Sequence, residues 1–187
     1  MNEKTLQSKR IFDGRLLHVD VLDVELDSGV RSTREIVRHP GAILVMGMVP
    51  SGSFVFVRQF RKAIESELLE AVAGTREQGE PPEACAIREM KEETGYDVKI
   101  LTYMGFIYST PGFCNERIDM YFAKLHASPG SQASDPDEHT DVVLLSRNEI
   151  EKMIAGKQIH DTKTLAAWLQ LMNLEQNPRN ADNEIGS

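Results

Sequence analysis

The 187-residue sequence is poor in cysteine: Cys85 and Cys114 are the only two. Two cysteines are too few for a disulfide framework and are typical of a reducing compartment. No apolar run follows the charged start MNEKTLQSKR, so we expect no signal peptide. The longest apolar stretches, such as residues 42–49, are too short to span a membrane. These absences predict a cytoplasmic protein without a membrane partner.

Positive charge is also scarce, because 21 Lys and Arg face 29 Asp and Glu, for a formal net charge of −8. An acidic chain of this kind is not expected to bind nucleic acid. The G-x-G-x-x-G fingerprint and the P-loop are both missing, which argues against two common nucleotide-binding folds. A phosphate-bearing small molecule stays compatible with this charge if bound cations reverse its sign locally.

The apolar pattern predicts a small β meander in residues 1–40, a main domain in 41–177 and a polar, frayed tail in 178–187. Strands of the main domain are expected near residues 42–49, 54–60, 67–73, 97–108, 118–126 and 141–145. Helices are expected at residues 82–94, from the Ser146 capping box to about 155, and at about 162–176. Because strands and helices do not alternate strictly, the fold class is α+β with a mixed sheet.

Two of these helices carry apolar faces that we expect to pack on the core. The face of the 82–94 helix is formed by Ala84, Ile87 and Met90. The face of the last helix is formed by Leu165, Leu169 and Met172, with Trp168 beside them.

The opposite face of the 82–94 helix is acidic, since Glu89, Glu92 and Glu93 share it. A solvated acidic face is the ordinary interpretation. However, the like charges at i and i+4 cost about 0.2–0.5 kcal/mol, and the helix dipole disfavours anions in the last turn. The alternative is a site for a hard divalent cation, because Mg²⁺ prefers oxygen ligands.

The spacing of the surrounding residues favours the metal site. The residues concerned are Gly74, Glu80, Arg88, Glu89, Met90, Glu92, Glu93, Gly95 and Tyr96. They match the pattern G-x5-E-x7-R-E-U-x-E-E-x-G-U, where U is a bulky apolar residue, at every identity position. Tyr96 is aromatic where an aliphatic residue is usual. The sequence therefore resembles the Nudix hydrolases. Outside this motif, Pro111 stands 16 residues after Gly95, and the stretch at 109–116 is similar to the loop of their ADP-ribose pyrophosphatase subfamily.

The resemblance implies an α/β/α sandwich with an N-terminal antiparallel β extension. It implies metal-dependent hydrolysis of ADP-ribose to AMP and ribose 5-phosphate, with Mg²⁺ or Mn²⁺ as the cofactor. Metal ligands would be the carbonyl of Ala73 and the carboxylates of Glu89 and Glu93, with Glu92 as a further ligand or partner.

The same resemblance assigns supporting and substrate-binding residues. Arg88 would orient a glutamate, for which Glu80 is the candidate. Arg61, at the end of a strand, would contact a phosphate; alternatively it is a solvated charge. Substrate contacts are also implied for the residues Arg34, Glu116 and Pro111. The Pro-Gly pair at 111–112 could equally be a simple turn.

The water-activating base in this subfamily lies in an acidic loop before a late strand, and Glu138 occupies the matching position. The alternatives are that this loop is only hydrophilic and that Glu93 is the base. We interpret His139 as a bystander, since a lone loop histidine seldom has a role. The expected catalytic residues are thus Glu138, Glu93 and Glu92.

Three further expectations concern partners and rival functions. The resemblance extends over most of the chain and implies a homodimer, in which the N-terminal meander crosses to the other subunit. The substrate could be another nucleoside diphosphate sugar, such as GDP-mannose. The rival from another class is a non-catalytic domain that senses ADP-ribose.

Overall fold

A computed structural model describes residues 2–132, 140–176 and 184–186 of the chain. The strands described are β1 Glu3–Asp13, β2 His18–Leu26, β3 Arg31–Arg38, β4 Ala42–Met48, β5 Phe54–Arg61, β6 Ser66–Thr75, β7 Val98–Tyr108, β8 Arg117–Leu125, β9 Thr140–Leu145 and β10 Glu184–Gly186. The α-helices described are α1 Pro82–Thr94, α2 Arg147–Ala155 and α3 Thr162–Gln176. Among these helices, none has the length and apolar character that crossing a bilayer requires.

The chain divides into two compact units, the first made of residues 1–41 and 108–117 and the second of the remainder. The first unit contains an antiparallel sheet in the order β1-β2-β3. Gly29 adopts φ +81° in the turn between β2 and β3, a conformation that favours glycine. All eleven residues of β1 are exposed, so this strand buries little apolar surface within its own unit.

The segment 108–117 joins the same unit through backbone hydrogen bonds to the end of β3. The Val37 N–H donates to the Phe113 carbonyl at 2.7 Å, and the Asn115 N–H donates to the Val37 carbonyl at 3.2 Å. The side chain of Asn115 accepts from the His39 N–H at 2.8 Å. The loop that contains Pro111 is therefore fixed to β3.

The second unit is built on a mixed sheet in the order β10-β7-β8-β4-β6-β5-β9. Strands β4 and β8 are parallel, whereas β4 and β6, β5 and β6, and β5 and β9 are antiparallel. Strand β6 changes partner along its length: Ala71 pairs with Phe56 of β5, and the next residue, Val72, pairs with Val45 of β4. The fold class predicted from the sequence, α+β with a mixed sheet, is confirmed.

Helices cover both faces of this sheet, as the continuous apolar run of β4 requires. Ile43 and Val45 of β4 belong to a core cluster that includes Met90 of α1. Leu44 and Met46, which alternate with them along β4, belong to a second core cluster. The helical members of that second cluster are Ile150 of α2 and Ala167, Trp168 and Leu171 of α3. The unit is thus the expected α/β/α sandwich.

The predicted core face of α1 is right at Met90, which is fully buried, and wrong at Ala84 and Ile87. Ile87 is 39% exposed, and Ala84 is exposed as well. The buried residues of the helix are Cys85, Ala86, Glu89, Met90, Glu93 and Thr94. The helix is rotated so that two of its carboxylates, rather than Ile87, face the protein. The apolar wheel did not predict this because it treats every buried position as apolar.

The predicted face of α3 is also wrong at Leu169, which is 61% exposed. The buried residues are Thr164, Ala167, Trp168 and Leu171. The Thr164 hydroxyl accepts the Ala71 N–H at 2.9 Å. This polar contact fixes the rotation of the helix, which the spacing of its leucines alone does not.

The tail expected to fray contains a short strand. Residues 184–186, which form β10, pair with residues 100–102 of β7 in antiparallel register. Backbone hydrogen bonds to an edge strand need no particular side chains. A polar tail sequence therefore gave no signal for this strand.

Candidate active site

The candidate site is centred where the end of β6 approaches α1. Gly74, near the end of β6, pairs with Ile43 of β4. A Cβ atom on Gly74 would overlap the carboxyl group of Glu89. The absence of a side chain at Gly74 therefore creates the space that the Glu89 carboxylate occupies, which explains the glycine of the motif.

Helix α1 is bounded by residues suited to its two ends. Pro82 stands in the first turn, where the missing N–H costs nothing. Gly95 closes the helix with φ +75°, and its N–H donates to the Lys91 carbonyl at 2.9 Å. A Cβ atom on Gly95 would also approach the Gly130 carbonyl oxygen to 2.5 Å. The helix that carries the glutamates thus has a fixed end.

Arg88 lies at the centre of an ion-paired cluster on this helix. Its Nε and Nη2 donate to the two carboxylate oxygens of Glu80 at 2.8 and 2.9 Å. Its Nη1 donates to Glu89 at 2.8 Å and to Glu92 at 2.9 Å. The predicted pairing of Arg88 with Glu80 is confirmed, and Arg88 orients the Glu89 carboxylate.

The Arg88–Glu80 pair has a strong electrostatic signature. The hydrogen bonds from Arg88 lower the pKa of Glu80 to about 2. The same bonds raise the pKa of Arg88 above its usual range. Only a small part of the Glu80 side chain is exposed. The loop before α1 is therefore fixed to the helix by a charged, two-bond contact.

We expect Glu80→Gln to lower the free energy of unfolding at pH 7 by about 2 kcal/mol, because a bond to a charged group is lost. The folded pKa of Glu80 lies below its ordinary 4.5, so its stabilisation is complete above that pH and is lost as pH falls towards 2. Urea unfolding at pH 7, 5 and 3 measures the difference, with Glu151→Gln on the exposed face of α2 as control. An equal difference at pH 7 and pH 3 would contradict this account.

The carboxylates of α1 suit a hard divalent cation. Glu89 is 9% exposed and Glu93 is 6% exposed, so two anionic groups are held in a largely desolvated position. Among the described residues, no three His, Cys, Asp or Glu side chains already converge on one point. Two carboxylates of the helix, those of Glu89 and Glu92, instead share Nη1 of Arg88. Their all-oxygen chemistry fits Mg²⁺ or Mn²⁺.

Arg61 forms an ion pair with a buried carboxylate, although 39% of its own side chain is exposed. Its Nε and Nη2 donate to Glu70 at 2.7 and 2.8 Å. The hydrogen bonds with Glu70 raise the pKa of Arg61 against the opposing effect of burial, and the charges of Glu93 and Asp161 raise it further. The structure thus brings the Arg61 cation within electrostatic range of the acidic site.

The other proposed substrate contacts lie in the first unit. Arg34 donates to Glu3 at 3.1 and 2.5 Å. Glu116 lies 3.6 Å from His39 Nδ1. Pro111 belongs to a loop turn that the Phe113 N–H closes on the Thr110 carbonyl at 3.1 Å; a turn at this position was one of the two sequence interpretations. Within this unit, Arg34 is thus paired with Glu3, and Glu116 is paired with His39.

The predicted base, Glu138, and the neighbouring His139 lie outside the described residues. On one side of them, the Gln132 amide donates to the Glu93 carbonyl at 2.6 Å. On the other side, Thr140 pairs with Gln59 of β5. The assignment of Glu138 stays a prediction.

A comparison of the chain with protein-family models identifies the family that carries this motif. The NUDIX domain family matches residues 37–170, which is most of the chain and includes the whole motif from Gly74 to Tyr96. The chain belongs to the NUDIX family.

Several curated relatives match between 80% and 91% of the chain. It is 38% identical over 174 residues to the ADP-ribose pyrophosphatase of Bacillus subtilis, covering 91% of this chain and 94% of the relative. It is 41% identical over 172 residues to the methanol dehydrogenase activator of Bacillus methanolicus, covering 90% and 93%. It is 33% identical over 162 residues to the GDP-mannose pyrophosphatase of Yersinia pestis, covering 80% of each chain.

A solved structure shows that the fold is shared as well. A crystal structure of an ADP compounds hydrolase superposes with a TM-score of 0.82 at 20% identity, covering 96% of this chain and 97% of the other. At this identity the likeness concerns the fold, which is that of the NUDIX hydrolases.

Sequence reasoning within the NUDIX motif missed the residues that surround Arg61. Glu70 is buried, and its carboxylate also accepts a hydrogen bond from Lys163. A charged residue inside the apolar run LLEAVA of β6 was a signal for a buried ion pair. The partner could not be identified, because Lys163 is 93 residues further along the chain.

Proposed function

We propose that the chain hydrolyses the pyrophosphate bond of ADP-ribose to AMP and ribose 5-phosphate, with Mg²⁺ or Mn²⁺ as cofactor. The reaction type is supported by two buried carboxylates of α1, Glu89 and Glu93. Glu89 lies beside Gly74 and is oriented by Arg88. The substrate is supported by the 38% identity to an ADP-ribose pyrophosphatase along nearly the whole chain.

The metal would be held by Glu89, Glu93 and the carbonyl of Ala73, with Glu92 as a further ligand or partner. A bound divalent cation neutralises the pyrophosphate and lowers the pKa of a coordinated water. The chain itself contributes burial, which strengthens the electrostatic effect of these carboxylates. It also contributes Arg88, which limits the rotation of Glu89 through a 2.8 Å hydrogen bond.

We assign the general base to Glu138 and keep Glu93 as the alternative. A base must reach the attacking water while it stays deprotonated at the working pH. Glu93 is the buried carboxylate of α1 whose charge acts on Arg61. We assign substrate contacts to Arg61, Arg34, Glu116 and Pro111; of these, Arg61 is the cation electrostatically linked to the acidic site.

The runner-up substrate is GDP-mannose, which the third relative supports at 33% identity. The name of the methanol dehydrogenase activator describes an effect on another enzyme and does not specify a bond to be hydrolysed. A non-catalytic sensor of ADP-ribose is the weakest candidate. The chain keeps Glu89, Glu92 and Glu93, which binding alone would not require.

A panel of nucleoside diphosphate sugars tests this function. We expect AMP release from ADP-ribose to exceed GMP release from GDP-mannose with added Mg²⁺, and EDTA to abolish it, because the buried carboxylates require a cation. The products can be separated by ion-exchange chromatography. Faster GMP release would select the runner-up, and ADP-ribose binding without products would select the sensor.

We further propose that the chain is a homodimer. Several large apolar side chains of the first unit are exposed: Leu6, Ile11, Phe12, Leu16, Leu17 and Val30. Large exposed apolar patches on a protein surface are typical of interaction sites. A second copy that covers this surface accounts for a β1 strand with no buried residue.

Sedimentation velocity should therefore give about twice the chain mass of 21.0 kDa. Ile11→Asp should shift the protein towards the monomer, since a charge at the contact would be desolvated. The matched control is Leu169→Asp on α3, where the leucine is equally accessible. A wild-type monomer would exclude the dimer.

We place the protein in the cytoplasm, without a nucleic-acid or membrane partner. Cys85 and Cys114 are both free, which suits a reducing compartment. Burial raises the pKa of the Cys85 thiol to about 12 and keeps it unreactive. The net charge of −8 disfavours polyanionic partners.

A further inference from the structure

Arg61 belongs to a polar network centred on a buried carboxylate, and the other members of this network have no role in the chemistry proposed above. The network, called here the Glu70 network, consists of Arg61, Glu70, Asp161, Lys163 and Thr164. Glu70 lies at its centre with a side chain only 1% exposed. Arg61 donates to both of its oxygens, at 2.7 and 2.8 Å, and Lys163 donates to Oε2.

The Glu70 network is electrically balanced, which is what allows it to be buried. Lys163 also donates to Asp161 at 2.9 Å, so two cations and two carboxylates alternate along it. Burial alone would raise the pKa of Glu70, but the bonds and charges of Arg61 and Lys163 outweigh it and lower that pKa. Removal of one charge would leave the others uncompensated in a desolvated position.

The network also closes on the backbone of β6. Asp161 Oδ2 accepts from the backbone N–H of Thr164 at 3.0 Å and from its hydroxyl at 2.5 Å. The same hydroxyl accepts the Ala71 N–H at 2.9 Å, next to Glu70 in the chain. At Ala71, β6 leaves β5 and joins β4. The Asp-Thr-Lys-Thr sequence at residues 161–164 thus fixes β6 at the point where it changes its partner strand.

Arg61 is held through one edge of its guanidinium group only. Its Nε and Nη2 bind Glu70, whereas Nη1 takes part in no hydrogen bond within residues 2–132, 140–176 and 184–186. More than a third of the side chain is accessible. An arginine at a strand end would otherwise lose rotamer freedom on binding a phosphate. Two bonds to a buried carboxylate remove that freedom in advance.

We propose that Glu70 and Lys163 are positioning residues for Arg61: they fix its guanidinium so that the open Nη1 binds a substrate phosphate beside the acidic site. Lys163 also donates to the Glu70 carboxylate, and this contact keeps the carboxylate in the orientation that Arg61 requires. This inference rests on the proposed function, because it takes the phosphate to be that of a nucleoside diphosphate sugar.

A double-mutant cycle with steady-state kinetics on ADP-ribose tests the proposal. Lys163→Met and Glu70→Gln should each raise KM about tenfold, with a smaller change in kcat, since substrate binding is affected more than chemistry. In an Arg61→Ala background the same substitutions should change KM less than twofold, because they act through Arg61. A purely structural role would give equal effects in both backgrounds and would overturn the proposal.

Two controls keep the test decisive. Lys152→Met, on the exposed face of α2, should leave KM unchanged. If Glu70→Gln does not fold, the double variant Glu70→Gln/Lys163→Met replaces it, since it removes one charge of each sign. The Arg61 Nε–H resonance gives a substrate-free readout: it should be protected from exchange in the wild type and lose that protection in the variants. Equal protection would overturn the proposal.

The outcomes separate this inference from the proposed function. A folded wild type that hydrolyses neither ADP-ribose nor GDP-mannose removes the function. A wild type that hydrolyses ADP-ribose, with unchanged KM in both the Lys163 and the Glu70 variants, removes the positioning role alone.

Discussion

Glu93→Gln should lower kcat on ADP-ribose by about 10²–10⁴-fold while the protein stays folded. Glu93 is one of two buried carboxylates of α1, and Arg61 acts on it electrostatically. Glutamine keeps the size of the side chain but removes the negative charge, so a divalent cation would lose an anionic ligand. The measurements are steady-state kinetics and Mn²⁺ binding followed by electron paramagnetic resonance.

Glu89→Gln should act in the same way, because Glu89 is the second buried carboxylate of α1 and lies beside Gly74. The matched control, Glu151→Gln on α2, should change neither kcat nor Mn²⁺ affinity. Wild-type turnover in both Glu89→Gln and Glu93→Gln would remove the metal assignment. In the same assay, Glu138→Gln should lower kcat without weakening Mn²⁺ binding if Glu138 is the base, and an unchanged kcat would move that role to Glu93.

The position of the site along the chain could be predicted from local sequence. The glutamates of α1 lie three and four residues apart, and this spacing alone places them on one helix face. Gly95 and Pro82 mark the ends of that helix, and the structure confirms both. The pairing of Arg88 with Glu80 was also predictable, because a loop of few residues limits the distance between them.

The direction in which the helices face could not be predicted from local sequence. An apolar wheel places Ile87 in the core, whereas the structure exposes it and buries Glu89. The deciding interactions are long-range: Gly74 makes room for Glu89, and Thr164 accepts the Ala71 N–H. Both contacts depend on β6, whose change of partner is a property of the whole sheet.

The pairing of Arg61 with Glu70 could not be predicted from local sequence either. From sequence, a strand-end arginine is either a phosphate ligand or a solvated charge. The structure adds the buried Glu70, nine residues away on the neighbouring strand, and Lys163 on a distant helix. The register between β5 and β6 pairs Arg61 with Ser66 and Val57 with Glu70, so the Arg61 side chain reaches along the sheet to Glu70. Such a contact requires knowledge of the register.

Gly74→Ala should abolish measurable turnover and lower the free energy of unfolding by about 1–3 kcal/mol, as an overpacked site does. The added Cβ would overlap the Cγ, Cδ and Oε1 atoms of Glu89. Glu89 has little freedom to move, since Arg88 holds it through a 2.8 Å bond and Glu80 holds Arg88. Either the carboxylate leaves the site or β6 separates from α1, and both results disturb cation binding.

A second-site substitution distinguishes this steric cause from a general weakness of the strand. Glu89→Ala removes the three atoms nearest to the new Cβ, so Gly74→Ala/Glu89→Ala should recover the stability that Gly74→Ala loses. Turnover should stay absent in the double variant, because the carboxylate is missing. Gly112→Ala, at a glycine with open space around it, is the folding control. If the double variant is no more stable than Gly74→Ala, Gly74 is needed for a reason other than the room it leaves for Glu89.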